Sequence, residues 1–261
     1  MKLMLDKSEI LAKKAKVIRK HVITSIYNAG TGHPGGSLSC VDILVALYFE
    51  IMKPNFDRFI LSKGHAAPAL YATLAECGYF PIESLSSLRK NNGYLQGHPS
   101  AKISGIEVSS GSLGQGLSIG CGLALSKKLD EDISRVFVLL GDGECDEGQI
   151  WEAAMFASHQ KLDNLIAIVD RNRYQIDGLT EEILSLEPFR NKWESFGWHV
   201  SEINGHNFVE IINALNKYVD RPHLIIANTV KGKGILITEN SNRFHGKAPS
   251  SDEMIEIEKE F

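Results

Sequence analysis

The stretch from Gly141 to Asn172, GDGECDEGQIWEAAMFASHQKLDNLIAIVDRN, limits the fold more than any other part of the chain. An apolar run, Val136 to Leu140, leads into Gly141-Asp142-Gly143. A helix-like segment follows, and a second apolar run, Leu165 to Val169, ends at Asp170-Arg171-Asn172. Two short apolar runs separated by a helical segment and closed by turn residues read as a βαβ unit with parallel strands. Asp142 and Asn172 then both fall just past the carboxyl end of a strand. In an open parallel sheet that edge is where ligands bind.

The same alternation runs along the chain. Helices are expected over Asp6–Tyr27, with a D-x-x-E capping box at Asp6 and Glu9, then from a cap at Ser39 through VDILVALYFEIM, and over Pro68–Cys77, Pro81–Lys90, Leu117–Leu129, Pro188–Phe196 and Phe208–Val219. Further strands are expected at Arg58–Ser62, His199–Ile203 and His223–Val230. Asn28–Ser37 and Asn91–Ser112 read as loops, and Gly120 and Gly122 as points of close approach to another backbone. The acidic end, SDEMIEIEKEF, reads as frayed or partner-facing. The fold class is α/β, a parallel sheet with helices on both faces, with residues 1–261 forming one domain.

Composition removes several function classes. A net charge of −4 without a basic stripe disfavours non-specific nucleic-acid binding. No apolar run reaches the length of a membrane span, and the N-terminus lacks the apolar core of a secretory signal. Cys40, Cys77, Cys121 and Cys145 form no CxxC pair, so reduced thiols in a cytoplasmic protein are expected.

The chemistry-bearing residues gather at the two strand ends. A carboxylate (Asp142), an amide oxygen (Asn172) and a neighbouring backbone carbonyl are hard donors suited to Mg²⁺, with diphosphate oxygens and a water completing an octahedron. The glycines and the start of the following helix favour an anion. An ordinary turn in a βαβ unit is the bland alternative, because Asp-Gly is a common turn pair. Four of the nine histidines, His33, His65, His98 and His245, sit in glycine-flanked loops. Any one of them reads as a solvent-exposed loop histidine; four beside a phosphate-type site favour ligand contact and proton exchange. His21, His159, His199, His206 and His223 read as structural, and Trp151, Trp193 and Trp198 as packing.

GDG followed thirty residues later by Asn resembles the thiamin diphosphate signature, and LIAIVDRNRYQIDG resembles the transketolase family in particular. The resemblance extends through NAGTGHPGGSLS, LSKGHAAPALYATL, QGHPS, GSLGQGLSIGCGLAL and FHGKAPS, over nearly the whole chain. It implies thiamin diphosphate with Mg²⁺ (Ca²⁺ or Mn²⁺ as substitutes). Asp142, Asn172 and the Tyr174 carbonyl would be metal ligands. The cofactor would meet His65, Gly111, Ser112, Leu113, Gly141, Gly143, Glu144, Ile176 and His245. Among these, the Gly111 carbonyl would accept from the aminopyrimidine, Gly143 would contact the diphosphate through its backbone, and Ile176 would support the bent cofactor. His33 and His98 would contact the substrate, and His65 and His245 would lie near the reaction centre. Glu147 and Glu152 would match subunit-interface carboxylates.

Transketolase-like enzymes are usually more than twice this length. The absent portion would hold the pyrimidine-binding domain, its proton-switching glutamate and the phosphate-binding arginines. The chain therefore reads as a complete diphosphate-binding unit, the N-terminal subunit of a split transketolase. It would pair with a C-terminal subunit in an α2β2 heterotetramer and transfer a two-carbon ketol unit between sugars or sugar phosphates. Two alternatives stay open. One is the corresponding chain of a 1-deoxyxylulose-phosphate-synthase-like enzyme or a 2-oxo-acid dehydrogenase, against which the histidine loops argue. The other is a non-catalytic α/β binding module.

Overall fold

A computed structural model describes residues 2–176 and 178–261, with side chains from residue 7 onward. Among them a five-stranded, all-parallel sheet has the order β1-β2-β3-β5-β4. The strands are β1 Arg58–Leu61, β2 Val136–Gly141, β3 Leu165–Arg171, β4 His199–Asn204 and β5 His223–Asn228. Every residue of β2 and β3 is buried, as expected for central parallel strands covered on both faces.

Chain direction across the sheet decides which helix lies on which face. From β1 to β4 the chain advances one way, and α5 (Gln115–Leu129), α6 (Gly148–His159) and α8 (Phe189–Ser195) pack on one face. From β4 to β5 it steps back, and α9 (Phe208–Leu215) lies on the opposite face with α1 (Lys2–Ala29), α3 (Val41–Ala46) and α4 (Ala67–Glu76). Right-handed crossovers require this reversal. It inserts β5 beside β3. Alternate strand residues feed the two cores: Phe137 and Leu139 one, Val136, Val138 and Leu140 the other.

Several expected boundaries move. The first helix begins at Lys2, ahead of the expected start at Asp6; the Asp6 side chain, and with it the expected capping box, lies outside the described residues. The first histidine loop is cut short by a helix, α2 (Pro34–Ser39), started by a proline whose missing N–H costs nothing there. Ser39 ends that helix and does not cap the next; its hydroxyl goes to Asp170 instead. Only a 3₁₀ segment, Ile82–Ser87, forms within Pro81–Lys90. Gly120 packs on Val138 and Gly122 meets nothing, while Gly116 is the glycine in close backbone contact, at Ser62. The acidic end is not frayed: α10 (Ser251–Glu258) has a full capping box from Ser250 and Glu253 and buries Met254 and Ile257. Among the described residues no helix is long and apolar enough to cross a membrane.

Candidate active site

Strand register aligns the site. Gly141 pairs with Asp170, and Asp170 with Ala227, so β2, β3 and β5 finish at one level. Asp142, Asn172 and Thr229 emerge together past those ends, and Ser62 and Lys63 emerge past β1. A cavity of about 340 Å³ opens there, lined by His33, His65, His245, Lys63, Gly111, Leu113, Gly141, Asp142, Gly143, Glu144, Asn172, Tyr174 and Ile176 among others.

The acidic side centres on Asp142, which is 2% exposed. Its carboxylate accepts from the Gly143 N–H at 2.8 Å and the Arg173 N–H at 2.6 Å, and Arg171 lies 3.8 Å away. Burial, and next the nearby Asp170 carboxylate, push its pKa up to about 6. Asn172 presents its amide beside it, with the oxygen accepting from the Tyr174 N–H at 3.1 Å. Asp170, which the sequence reading did not pick out as a site residue, is wholly buried and is bound by Lys63, Ser39 at 2.6 Å and Thr229.

The basic side holds three rings and two lysines. His33, His65 and His245 form a triangle with centroids 5.3, 5.5 and 5.8 Å apart. Burial, then neighbouring positive groups, bring His33 and His245 down to about 4 and His65 well below the ordinary range, so all three are neutral at pH 7. Lys231 is 1% exposed; its Nζ lies 3.2 Å from His245 Nδ1 and 3.4 Å from Asn242 Oδ1. Burial, then Lys63, lower its pKa to about 8. The sequence reading missed both lysines. The signal that could have found them is placement: each stands within two residues of a glycine just past a strand, and Asp170 closes an otherwise apolar run.

Not every expected residue lines the cavity. His98 is exposed and lies outside the triangle, against Gly111, where an added Cβ would come 3.8 Å from its ring. Ser112 is exposed and is not part of the lining. The Gly143 N–H is held by Asp142. The Glu144 carboxylate is filled by protein donors: the Ser62 hydroxyl, the Gly114 N–H at 3.0 Å and the Gly141 N–H at 2.9 Å. It thus ties the Gly111–Gly114 loop to the ends of β1 and β2. Glu147 and Glu152 are exposed, and Ile176 is 66% exposed at the rim.

A buried carboxylate pushed towards neutrality beside a second carboxylate calls for a cation. A buried ammonium pushed the same way beside a second lysine calls for an anion. The carboxylate lines the cavity and the ammonium bonds His245 in its wall, and a metal-bound diphosphate would satisfy both.

Fold and site together define a parallel α/β protein with buried carboxylates, a buried lysine and three neutral histidines gathered in a cavity at the carboxyl edge of its sheet. Comparison with known proteins narrows this. The family described as "Transketolase, thiamine diphosphate binding domain" matches residues 10–261, and the chain belongs to the transketolase family through that domain. It is 46% identical to the 6-deoxy-6-sulfo-D-fructose transketolase subunit SqwG of Clostridium sp. (strain MSTE9), covering 96% of this chain and 97% of the relative. It is 44% identical to an apulose-4-phosphate transketolase subunit of Phocaeicola vulgatus, covering 97% and 94%. The transketolase structure from Campylobacter jejuni superposes with a TM-score of 0.90 at 32% identity, over 96% of this chain and 42% of that one. The chain thus spans nearly all of the subunit-type relatives and about two-fifths of the longer transketolase.

Proposed function

We propose that this chain is the diphosphate-binding subunit of a two-chain, thiamin diphosphate- and Mg²⁺-dependent transketolase. The observation that carries the reading is the convergence of Asp142 and Asn172 with Lys63 and three neutral histidines in one cavity of a transketolase-family domain, with Lys231 bonded to His245. The match to separate transketolase subunits along nearly their whole length supports a split enzyme.

Thiamin diphosphate, when bound, supplies the electron sink for breaking and making the ketol carbon–carbon bond. Asp142, the Asn172 amide oxygen and the Tyr174 carbonyl hold the metal. Lys231 and His245 face the diphosphate. Gly111, Leu113, Gly141, Gly143 and Ile176 shape the cofactor wall, and Glu144 fixes the loop that carries the first two of them. His65 and His245 are kept neutral and can accept or relay a proton near the reacting carbons. His33 and His98 contact the substrate's oxygens.

The relatives act on sugars named for a sulfo or phosphate group, which supports an anionic sugar as substrate here. Apolar side chains left in water, Ile176 at the cavity rim and, at 47% and 57% exposure, Ile183 and Leu184, suit coverage by a partner. We assign that partner as the C-terminal transketolase subunit carrying the pyrimidine-binding domain, in an α2β2 heterotetramer. Carbohydrate metabolism of the pentose phosphate type, in the cytoplasm, fits the four free thiols. The test is turnover with cofactor and Mg²⁺, by this chain alone and with its partner. Activity should require both, and substantial turnover by the chain alone would sink the split-enzyme reading.

A further inference from the structure

The Lys231 ammonium is buried at a cost: burial, then Lys63, lower its pKa to about 8, so a loop free to move would release it to water. Two side chains that do not line the cavity grip the loop on either side of it. The Val230 N–H donates to His206 Nε2 at 2.9 Å, and Lys233 O accepts from Arg19 Nε at 2.8 Å. Between these anchors the Gly232 N–H donates to Gly35 O at 2.9 Å, two residues from His33. A Cβ added at Gly35 would lie 3.0 Å from both Cγ and Cε of Lys231, so the lysine stem rests on the first histidine segment. Its Nζ then reaches His245 Nδ1 at 3.2 Å.

One carboxylate locks both anchors. Asp42, which is 5% exposed, accepts from Arg19 Nη1 at 3.0 Å and Nη2 at 2.7 Å, and His206 Nδ1 lies 2.6 Å from its Oδ2. The bond from Val230 requires an unprotonated Nε2, so the ring is the neutral Nδ1–H tautomer and donates to Asp42. The buried cluster therefore balances one positive charge against one negative. Gly205 lets the ring get there: an added Cβ would lie 2.4 Å from Thr229 Cγ2, and the Gly205 N–H donates to Asn228 O at 2.8 Å. The turn after β4 thus closes onto the end of β5 and sets His206 against Val230.

We propose that His206, backed by Asp42 and Arg19, is the positioning residue for Lys231: it clamps the loop after β5 so that the ammonium stays beside His245, facing the cofactor's diphosphate. A ligand group is held to useful precision only when the residues behind it are themselves fixed. The inference rests on the transketolase reading and deepens it: diphosphate affinity depends on a side chain that never touches the cofactor.

Two measurements test it. In the full wild-type chain, a through-hydrogen-bond ¹⁵N–¹⁵N coupling should join Val230 N to His206 Nε2, and its absence overturns the clamp whatever the variants do. In the reconstituted two-chain enzyme, isothermal titration in the presence of Mg²⁺ gives the affinity for thiamin diphosphate and for inorganic diphosphate. Wild type, His206→Asn, Lys231→Met and the double variant are compared. The shorter amide of His206→Asn keeps a donor for Asp42 but stops short of the Val230 N–H, so no charge is left unpaired. His206→Asn should weaken both ligands roughly 5- to 20-fold when Lys231 is present, and less than about twofold in the Lys231→Met background. Equal losses in the two backgrounds would make His206 a general support of the fold and overturn the proposal, as would an unchanged affinity in His206→Asn. A wild-type enzyme that binds inorganic diphosphate but not thiamin diphosphate, with the same dependence on Lys231, would refute the transketolase reading and leave the clamp standing.

Discussion

Replacing Lys231 with methionine should stabilise the free chain and cripple the holoenzyme. Burial and Lys63 bring the ammonium from its ordinary 10.5 down to about 8. Keeping it charged at pH 7.5 therefore costs the fold ~3 kcal/mol. Its contacts with His245 Nδ1 and Asn242 Oδ1, at 3.2 and 3.4 Å, return about 1 kcal/mol each at most. Lys231→Met should thus be more stable than wild type by ~1–2 kcal/mol at pH 7.5 in urea denaturation. The pH dependence carries the sign. Between about pH 8 and 10.5 the unfolded chain keeps the proton that the folded one has released, so wild type gains stability as pH rises. The variant lacks that gain, and its advantage should vanish by the top of the range. With the partner present, Mg²⁺-dependent thiamin diphosphate affinity should fall roughly 10- to 100-fold, the loss of one charge-assisted hydrogen bond. A variant less stable than wild type at pH 7.5 would make Lys231 structural, and unchanged cofactor affinity would refute its role as an anion ligand.

Three further perturbations separate the assigned roles. Asp142→Ala should abolish Mg²⁺-dependent cofactor binding by isothermal titration, and retained affinity would remove it as a metal ligand. His98→Ala should raise KM for the ketose while sparing cofactor affinity; equal losses of both would contradict substrate contact. Glu144→Ala should destabilise the chain by about 2–3 kcal/mol in urea, because the Gly114 and Gly141 N–H groups lose their buried acceptor. It should also speed hydrogen exchange at Gly114, and an unchanged exchange rate would show that Glu144 does not hold the loop.

The strands, the βαβ order around GDG and the four glycine-flanked histidine loops could all be read from the chain, because they rest on local periodicity and turn chemistry. The boundaries that moved were those where local signals compete. Pro34 suits a helix start as well as a loop. Ser39 has a capping side chain, but its hydroxyl is taken by Asp170, 131 residues away.

The sequence by itself determined that a carboxylate and an amide stand past two parallel strand ends, and which residue types could serve a diphosphate. Only the tertiary structure decided which of them meet. The step back from β4 inserts β5 beside β3, and that placement brings Thr229 onto Asp170 and Lys231 onto His245. The same packing buries Asp142 in the cavity wall and Lys231 against His245, and keeps three histidines neutral. Charge and proton affinity depend on burial and on neighbours distant in sequence, so they arise only when the sheet is assembled.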